Sequence, residues 1–243
     1  MINKTAASAV NLLSRLLFAA NPRIAWQVLR SSPPSLTSSA IIARMAEELA
    51  LCHSVIDVGA NCGQFARGIL NATPESTRIL AIEADRITSQ ELRDNLVHEN
   101  RVDIVQAVVT AQAGPMTFYE VGALSPQSST RRPLDSTYAR IEVAGQRLDD
   151  IVCAWPRAVP PYFIKVDVQG GELGVLQGGL DTLAQSEAVL AEVLFAAEYE
   201  GSASLEEIAR LLEESGYYID RPVDCRWDDR GIAQVDILWK RRP

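Results

Sequence analysis

The sequence of 243 residues predicts an α/β fold built on a doubly wound, largely parallel sheet. The first observation is the alternation, from residue 55 onward, of apolar runs typical of buried strands with segments of helical composition. The second is a strand, a glycine turn and a helix start that follow one another directly within 55–70. The third is a pair of strand-like runs near the carboxyl end, 217–220 and 235–239, which predict a terminal hairpin and complete seven main strands.

Composition and charge narrow the class of protein. The net charge of −8 argues against a nucleic-acid partner, because binding to phosphates requires a basic surface. No apolar run reaches the length of a membrane span, so we expect no membrane partner. The cysteines lack the CxxC spacing of zinc or redox sites and indicate free thiols in a reducing, cytoplasmic compartment: Cys52, Cys62, Cys153 and Cys225.

The first 50 residues predict a helical cap on the main domain, which then spans 51–243. Helical periodicity of apolar residues covers 5–20 and 38–51, and the serines and prolines of 31–35 indicate a loop between them. We expect this cap either to cover the substrate or to pair with another subunit in a homo-oligomer. A pair of amphipathic helices that only packs on the sheet would explain the pattern equally well.

The turn after the first strand predicts a site for a nucleotide-like ligand. The run 55–58 is apolar except for Asp57, and Gly59 and Gly63 bracket the turn before a segment of helical composition. A strand, a glycine turn and a helix bring backbone N–H groups and a helix N-terminus up to a bound ligand.

The spacing of the glycines distinguishes between nucleotide ligands. A dinucleotide fingerprint has glycines at its first, third and sixth positions, which here hold Gly59, Asn61 and Gln64. Close approach of a diphosphate is therefore impaired, whereas S-adenosylmethionine contains an adenosine and no phosphate. Asp57 at the strand end suits the amino group of that ligand, directly or through water. A glycine turn that only connects two elements is the alternative.

The next strand-like run, 79–83, ends in an acid that we expect to bind ribose hydroxyls. Glu83 follows Gly63 by 20 residues (83 − 63), close to the spacing at which an acid meets the ribose in nucleotide-binding folds. An acid after a strand is often only a helix cap or a solvated residue. The spacing and the order of elements favour the ribose role.

The following segment predicts a helix and a third strand beside the adenine. Thr88 and Glu91 have the spacing of a capping box and predict a helix over 88–99. The apolar run 102–109 predicts a strand, of which Ala107 and its two neighbours would line the adenine side of the site.

A small β insertion interrupts the alternation of strands and helices. Residues 116–121 and 139–144 predict two strands of a hairpin-like unit, and the polar, turn-rich segment 124–133 lies between them. That loop could be a mobile lid, although its composition favours a simple surface loop.

Two charged residues on the strand predicted at 162–168 form a second candidate site. Lys165 and Asp167 share a face of this strand and are roughly 7 Å apart along it at ~3.3 Å per residue. Burial of such charges is costly unless they are paired or functional. We favour function over a structural ion pair, because ligands bind at strand ends near a switch point of the sheet.

The remaining elements follow the same alternation. A helix is predicted near 172–184, and the fifth strand, 188–195, contains a further acid, Glu192. A capping box at Ser204 predicts a helix over 204–215.

Five motifs make the sequence similar to the FkbM family of S-adenosylmethionine-dependent methyltransferases. The resemblance covers roughly residues 52–220 and implies a class I methyltransferase (Rossmann-like) sheet. It also implies transfer of a methyl group to a hydroxyl of a small molecule, such as a sugar, a glycoside or a polyketide-type natural product. In chain order the motifs are VIDVGANCGQFA, AIEAD, RLDDI, IKVDVQGGELGVLQGG and EVLF.

The resemblance also implies roles for individual residues. By position, the methionine-side loop would contain Asp57, Gly59, Asn61 and Gly63, the ribose acid would be Glu83, and the active-site strand would end at Asp167. The sequence departs from the family in two places. Many members have Glu-Pro where this chain has Glu83-Ala84, and many have Val-Glu-Gly where it has Val168-Gln169-Gly170.

Methyl transfer to a hydroxyl needs an aligned oxygen and a group that takes its proton. Both histidines lie away from the predicted site, which leaves carboxylates. We expect Asp167 to be the base, with Glu172 and Glu192 behind it. Lys165 could stabilise the developing alkoxide or hold Asp167 in position. A divalent ion could bridge Asp167 and Glu192, although no ligand cluster requires one.

Two alternatives stay open at this stage. An N-methyltransferase acting on a small-molecule amine is the first, because a carboxylate base serves an ammonium group as well as a hydroxyl. A non-catalytic nucleotide-binding module is the second, and the presence of Asp167 disfavours it.

Overall fold

The structure is a computed structural model that describes residues 41–121, 128–134, 138–195, 198–229 and 231–243. Within these ranges the strands in chain order are β1 (Ser54–Val58), β2 (Arg78–Glu83), β3 (Val102–Gln106), β4 (Val108–Val109), β5 (Gly114–Glu120), β6 (Ala139–Gln146), β7 (Tyr162–Val166), β8 (Ser186–Leu194), β9 (Tyr217–Asp228) and β10 (Gly231–Arg241). The helices are α1 (Ala46–Leu51), α2 (Gln64–Ala72), α3 (Arg86–Leu96), α4 (Leu148–Cys153), α5 (Glu172–Gln177), α6 (Leu180–Leu183) and α7 (Leu205–Glu214).

Seven strands form the main sheet, in the order β3-β2-β1-β7-β8-β10-β9. The first five in this order run parallel, and β10 is antiparallel to both of its neighbours. This is the predicted doubly wound α/β sheet with a terminal hairpin. The chain reverses direction across the sheet between β1 and β7, so the carboxyl ends of these two strands flank the switch point where such sheets bind ligands.

The central strands are buried on both faces, which explains why they are almost continuously apolar. On one face Ile56 and Ile164 belong to a hydrophobic layer that includes side chains of α4, α5 and α7. On the other face Val55 and Phe163 pack with α2 and with the chain around α1. Each such side chain, fully buried, stabilises the fold by about 1.5–3 kcal/mol. Asp57 is the one charged residue within β1 and is also fully buried.

The small β insertion is a separate three-stranded sheet, in the order β4-β6-β5. The predicted pair of strands is confirmed, because β5 and β6 pair antiparallel from Gly114↔Gly145 onward. The single strand predicted over 102–109 is wrong. The chain leaves the main sheet at Ala107, and Val108 and Val109 pair in parallel with β6 instead.

The start of α3 also differs from the prediction. The helix begins at Arg86 rather than Thr88, with Asp85 as its N-cap: the Asp85 carboxylate accepts a hydrogen bond from the Thr88 N–H at 2.8 Å. The predicted capping box is therefore wrong, because an aspartate three residues earlier already caps the helix. Thr88 lies in the first turn, and its hydroxyl is left for another role.

The capping box of α7 is confirmed. Ser204 Oγ accepts from the Glu207 N–H at 3.3 Å, and the Glu207 carboxylate accepts from the Ser204 N–H at 2.8 Å. The helix predicted near 172–184, by contrast, is two short helices separated by Gly178 and Gly179. An added Cβ at Gly178 would overlap the Thr110 carbonyl. A glycine at this break therefore lets the chain that leads into the small sheet pack closely against the main domain.

The described chain begins at Ile41, and the predicted helix at 5–20 and loop at 31–35 lie outside it. Met45 and Leu49 are buried, as the helical periodicity predicts. The division into a cap and a main domain stays a prediction, as does pairing of subunits through the cap. The predicted lid lies partly outside the described chain, since residues 122–127 are not part of it. None of the described helices has the length and apolar character needed to cross a membrane.

We expect Gly59→Ala to destabilise the protein more than Gly216→Ala. Both glycines have left-handed backbones, with φ of +81° and +89°, where alanine costs about 1–2 kcal/mol. An added Cβ at Gly216 would meet only the Arg241 side chain, at 3.8 Å, whereas at Gly59 it would overlap the Asp167 carbonyl. That overlap adds about 1–3 kcal/mol to the loss. Urea denaturation of both variants measures the difference, and equal losses would contradict this close approach of β1 to the turn after β7.

Candidate functional site

A cleft of about 690 Å³, measured to its open mouth, lies at the carboxyl ends of β1, β2 and β7. Five of the residues predicted from the sequence line it: Gly59, Asn61, Glu83, Ala107 and Asp167. The other predicted site residues lie behind the residues that line the cleft, or deeper in the sheet: Asp57, Gly63, Lys165 and Glu192.

The glycine turn forms one wall of the cleft in the way its residues predict. Gly59, Asn61 and Gly63 all have positive φ, of +81°, +50° and +90°. Asn61 is held in this conformation by its own side chain, whose Oδ1 accepts from the Cys62 N–H at 2.7 Å. Gly63 is the N-cap of α2 and sits directly above Leu92 of α3, where a side chain would not fit. The turn therefore brings backbone close to any molecule in the cleft.

Glu83 lies beside this turn at the end of β2 and also organises it. Its Oε2 accepts from the Asn61 N–H at 2.8 Å, and its Oε1 accepts from the Asp85 N–H at 2.9 Å. Burial raises the pKa of Glu83, and the two N–H groups oppose that rise. Each carboxylate oxygen has a second lone pair, so Glu83 can still accept hydrogen bonds from hydroxyls of a ligand.

Thr88 is a cleft residue that the sequence analysis assigned to another role. It is 2% exposed and lines the cleft, and its Oγ1 has no hydrogen-bond partner among the described residues. A buried hydroxyl without a partner is costly, so it points to a ligand group that would complete the hydrogen bond. The pattern Asp85-x-x-Thr88 could have indicated this role. Because Asp85 caps the helix, the Thr88 hydroxyl is not needed as a cap and is available to a ligand.

The far wall of the cleft is apolar. Ala107, Val108, Val109 and Phe118 line it, where the chain passes from the main sheet into the small sheet. Gln106, predicted as a neighbour of Ala107 in this wall, is exposed and is not among the residues that line the cleft. An apolar wall beside a carboxylate and a glycine turn suits a planar heterocycle joined to a ribose.

Lys165 connects the ends of β1 and β7 through two ion pairs. Its Nζ lies 3.4 Å from Asp57 Oδ1 and 3.2 Å from Asp167 Oδ2. Burial disfavours the charged amine, but the two carboxylates outweigh it and raise the pKa of Lys165. Burial also raises the pKa of Asp57, whose oxygens accept no hydrogen bond from a described residue despite the ion pair.

Asp167 is the partly exposed acid of the cleft, with 35% of its side chain accessible. Gln169 binds it from the other side: Gln169 Nε2 donates to Asp167 Oδ1 and to Glu192 Oε2, at 3.0 Å in each case. Gln169 Oε1 in turn accepts from the Tyr199 hydroxyl at 3.0 Å. No local pattern in the sequence predicts this network.

The two other candidate bases are buried. Glu172 and Glu192 are both 2% exposed, and neither is among the residues that line the cleft. Glu172 Oε1 accepts from the Val168 and Gly170 N–H groups, at 3.0 Å each, and so holds the loop after β7. Burial raises the pKa of Glu172 to about 7, and burial together with Asp167 raises that of Glu192 well above its usual range.

Asp236 on β10 extends this acidic row away from the cleft. It lies opposite Glu192 in the β8–β10 register and opposite Asp224 in the β9–β10 register. Burial and the charge of Asp167 raise the pKa of Asp236 to about 7. Among the described residues, His, Cys, Asp and Glu side chains form no group of three or more arranged to hold a metal ion. The Gln169 amide nitrogen contacts both Asp167 and Glu192.

Comparison with characterised proteins identifies one relative by sequence. The chain is 27% identical over 172 residues to the 2-O-methyltransferase NoeI of Sinorhizobium fredii, a match that covers 65% of this chain and 70% of the relative.

Solved structures share the fold at low sequence identity. The O-methyltransferase TomG of Streptomyces achromogenes, solved with bound S-adenosylmethionine, superposes with a TM-score of 0.51 at 11% identity, covering 84% of this chain and 79% of TomG. A protein of Klebsiella pneumoniae assigned as an O-methyltransferase gives a TM-score of 0.52 at 10% identity, covering 95% and 97% of the two chains. The fold is therefore that of the class I S-adenosylmethionine-dependent methyltransferases.

A family model matches the part of the chain that forms the cleft. The model for the methyltransferase FkbM domain matches residues 57–219, a range that begins at the acid of β1 and ends within β9. It includes the glycine turn, Glu83, Lys165, Asp167 and Glu192. This chain belongs to the FkbM family of S-adenosylmethionine-dependent methyltransferases.

Proposed function

We propose that this methyltransferase is an O-methyltransferase that methylates a hydroxyl of a small molecule, such as a sugar, a glycoside or a polyketide-type natural product. The observation that carries the proposal is the position of Asp167. This carboxylate lines the cleft next to the Gly59 turn and is partly exposed, so it can reach the hydroxyl of a bound acceptor. The name of the relative NoeI, a 2-O-methyltransferase, supports an oxygen acceptor.

The cleft residues fit S-adenosylmethionine. The Gly59–Gly63 turn would hold the methionine side, with the buried Asp57 carboxylate behind it for the amino group. Glu83 and the unpartnered Thr88 hydroxyl would bind the ribose, and the apolar wall at Ala107 would contact the adenine. When bound, this cofactor supplies a methyl group on a positively charged sulfur.

Asp167 would act as the base that takes the proton of the acceptor hydroxyl. Its two oxygens already bind Lys165 and Gln169, which fixes the plane of the carboxylate, and each oxygen keeps a lone pair for the acceptor. Lys165 balances the negative charge of the site and would stabilise an oxygen that loses its proton. A correctly placed base accelerates such reactions about 10²–10⁴-fold.

An amine acceptor is the second candidate, because the carboxylate of Asp167 lines the cleft and serves an ammonium group as well as a hydroxyl. Glu192 and Asp236 follow Asp167 across the sheet behind the cleft lining, and Lys165 is the cation that faces them in the described chain. A protonated amine would be attracted to the acid at the cleft surface.

The acceptor class can be tested directly. Purified protein is incubated with methyl-labelled S-adenosylmethionine and separate panels of monosaccharides, glycosides, hydroxylated lactones and primary amines, and products are identified by mass. Label on an oxygen of a hydroxyl acceptor supports the proposal. Label only on nitrogen would establish the second candidate in its place.

We expect S-adenosylhomocysteine to raise the melting temperature of the protein and NAD to leave it unchanged. A ligand that binds only the folded state stabilises it by about 2.7 kcal/mol at a concentration of 100 times its Kd. NAD carries a diphosphate, and the site lacks the second glycine that a diphosphate needs at Asn61. Differential scanning fluorimetry measures both shifts. A shift with NAD alone would contradict the assignment of the cleft.

Thr88→Val and Glu83→Ala are expected to weaken binding of S-adenosylhomocysteine with different effects on stability. Valine removes one neutral hydrogen bond to the ligand, worth about 0.5–1.5 kcal/mol, and leaves no unpaired group in the free protein. Glu83→Ala also removes the partner of two backbone N–H groups, so stability should fall by about 1–3 kcal/mol for each that stays buried.

Titration calorimetry and urea denaturation of both variants separate these effects. Glu75→Ala, at an exposed acid away from the cleft, is the control. If Thr88→Val binds S-adenosylhomocysteine as tightly as the wild type does, the Thr88 hydroxyl does not contact the cofactor.

Asp167→Asn is expected to lower kcat by about 10²–10⁴-fold with little change in cofactor affinity, because asparagine keeps the shape of the side chain but cannot take a proton. A purely structural ion pair predicts instead a loss of stability, because Lys165 loses one of its two carboxylate partners and keeps only Asp57; a fully broken buried pair costs roughly 3–5 kcal/mol, which is the upper bound here. Restoration of activity by Mg²⁺ would make Asp167 a metal ligand.

Turnover, cofactor affinity and melting temperature measured on one sample distinguish these outcomes. Asp224→Asn, in the same acidic row but not among the residues that line the cleft, is the matched control. Full activity of a stable Asp167→Asn protein would exclude Asp167 as the base.

A further inference from the structure

Gln169 stands out in the loop after β7 because its backbone has φ of +58°, a conformation that residues other than glycine rarely adopt. The neighbouring chain fixes it there: Ser129 Oγ donates to the Gln169 carbonyl at 2.6 Å. The loop 128–134 and the loop after β7 are thus joined at this residue. A backbone held in an uncommon conformation directs the Gln169 side chain to one place.

Both the nitrogen and the oxygen of the Gln169 side-chain amide form hydrogen bonds. Both acceptors of its Nε2 are carboxyl oxygens, of Asp167 at 3.0 Å and of Glu192 at 3.0 Å. The NH₂ end of the amide thus faces the two acids. Tyr199 completes the set by donating its hydroxyl proton to Gln169 Oε1 at 3.0 Å.

This arrangement lets two acids stand side by side without a cation between them. Adjacent carboxylates repel, and one of them ordinarily takes up a proton. A neutral amide that donates to both reduces this repulsion. It also leaves Asp167 Oδ2 to Lys165, at 3.2 Å, so that both oxygens of Asp167 have a fixed partner.

We propose that Gln169 is a positioning residue for methyl transfer: its amide fixes the carboxylate of Asp167 in the cleft by donating a hydrogen bond to it. The proposal rests on the proposed function, in which Asp167 takes the proton of the acceptor. It explains how position 169 contributes to the site without an acid.

Besides Gln169, several titratable groups face Asp167. From the elements packed around it these are Lys165 on β7, Asp57 on β1, Glu192 on β8, Asp236 on β10, Glu172 on α5 and the Tyr199 hydroxyl. Five of these six are acidic or weakly acidic. Loss of a donor at Gln169 is therefore not compensated by another described cation.

Gln169→Met and Gln169→Glu test the proposal. Methionine has a similar length and no donor, and glutamate replaces the donor with a third negative charge. Both should lower kcat, by about 10–100-fold for a misplaced reacting group. Both should also move the acid limb of the pH profile of kcat to higher pH, by about one unit for glutamate and less for methionine, because a carboxylate that loses a donor or gains a like-charged neighbour holds its proton longer.

The readouts separate positioning from a merely structural role. Activity from pH 5 to 9 is measured with the acceptor that the wild type methylates fastest. Melting temperature and affinity for S-adenosylhomocysteine are measured on the same samples, and the affinity should change less than about twofold. Gln177→Met, the same substitution at an exposed position, is the control. An unchanged acid limb in either folded variant would overturn the proposal.

A second measurement is independent of any acceptor. If the wild type methylates no tested compound, the proposed function fails, and the Gln169 proposal is then decided by ¹³C NMR titration of the Glu192 carboxyl, assigned by its loss in Glu192→Gln. The titration midpoint of Glu192 should move to higher pH in Gln169→Met. A midpoint that stays in place would refute the positioning role.

Discussion

The interaction on which the site depends is the contact of Lys165 with Asp57 and Asp167. A fully buried aspartate at the end of β1 would be strongly destabilising alone, since burial of an unpaired charge costs several kcal/mol. Lys165 compensates the charge of Asp57, because the two residues lie directly opposite each other in the β1–β7 pairing. The same amine then reaches Asp167, two residues further along the chain and just after the end of β7. One cation thus links the strand before the glycine turn to the partly exposed acid of the cleft.

The two sides of the cleft are held in different ways. The side at the glycine turn depends on backbone: positive φ at Gly59, Asn61 and Gly63, and N–H groups ordered by Glu83. The side at Asp167 depends on side chains, in a network that runs from Tyr199 through Gln169 to Asp167 and Glu192. Backbone geometry is insensitive to most substitutions, whereas a side-chain network changes with each one. Under the proposed function, substitutions in this network would change the acceptor and leave cofactor binding in place.

The sequence predicts the parts of this structure that depend on neighbouring residues. The first strand, its glycine turn and the Ser204 capping box are local, because residue types within a few positions determine them. The predictions failed where residues distant in the sequence determine the local structure. The strand predicted over 102–109 divides at Ala107 because β6, almost forty residues later, takes up Val108 and Val109. Thr88 was misassigned because two capping residues compete, and Gln169 meets partners 23 and 30 residues away that no local pattern indicates.

The buried Glu48 fixes the start of the described chain against the terminal hairpin. Its carboxylate, 1% exposed, lies 2.9 Å from Lys240 Nζ and 3.1 Å from Arg221 Nη2, so α1 is attached to the terminal hairpin by charge. Ile41 and Ile42 pack in the same layer as Phe163, and alternation along β7 places Lys165 and Asp167 on that face too. The described chain thus begins, at Ile41, on the face of the sheet that carries Lys165 and Asp167. A fluorescent reporter attached close to this point would therefore report on that face.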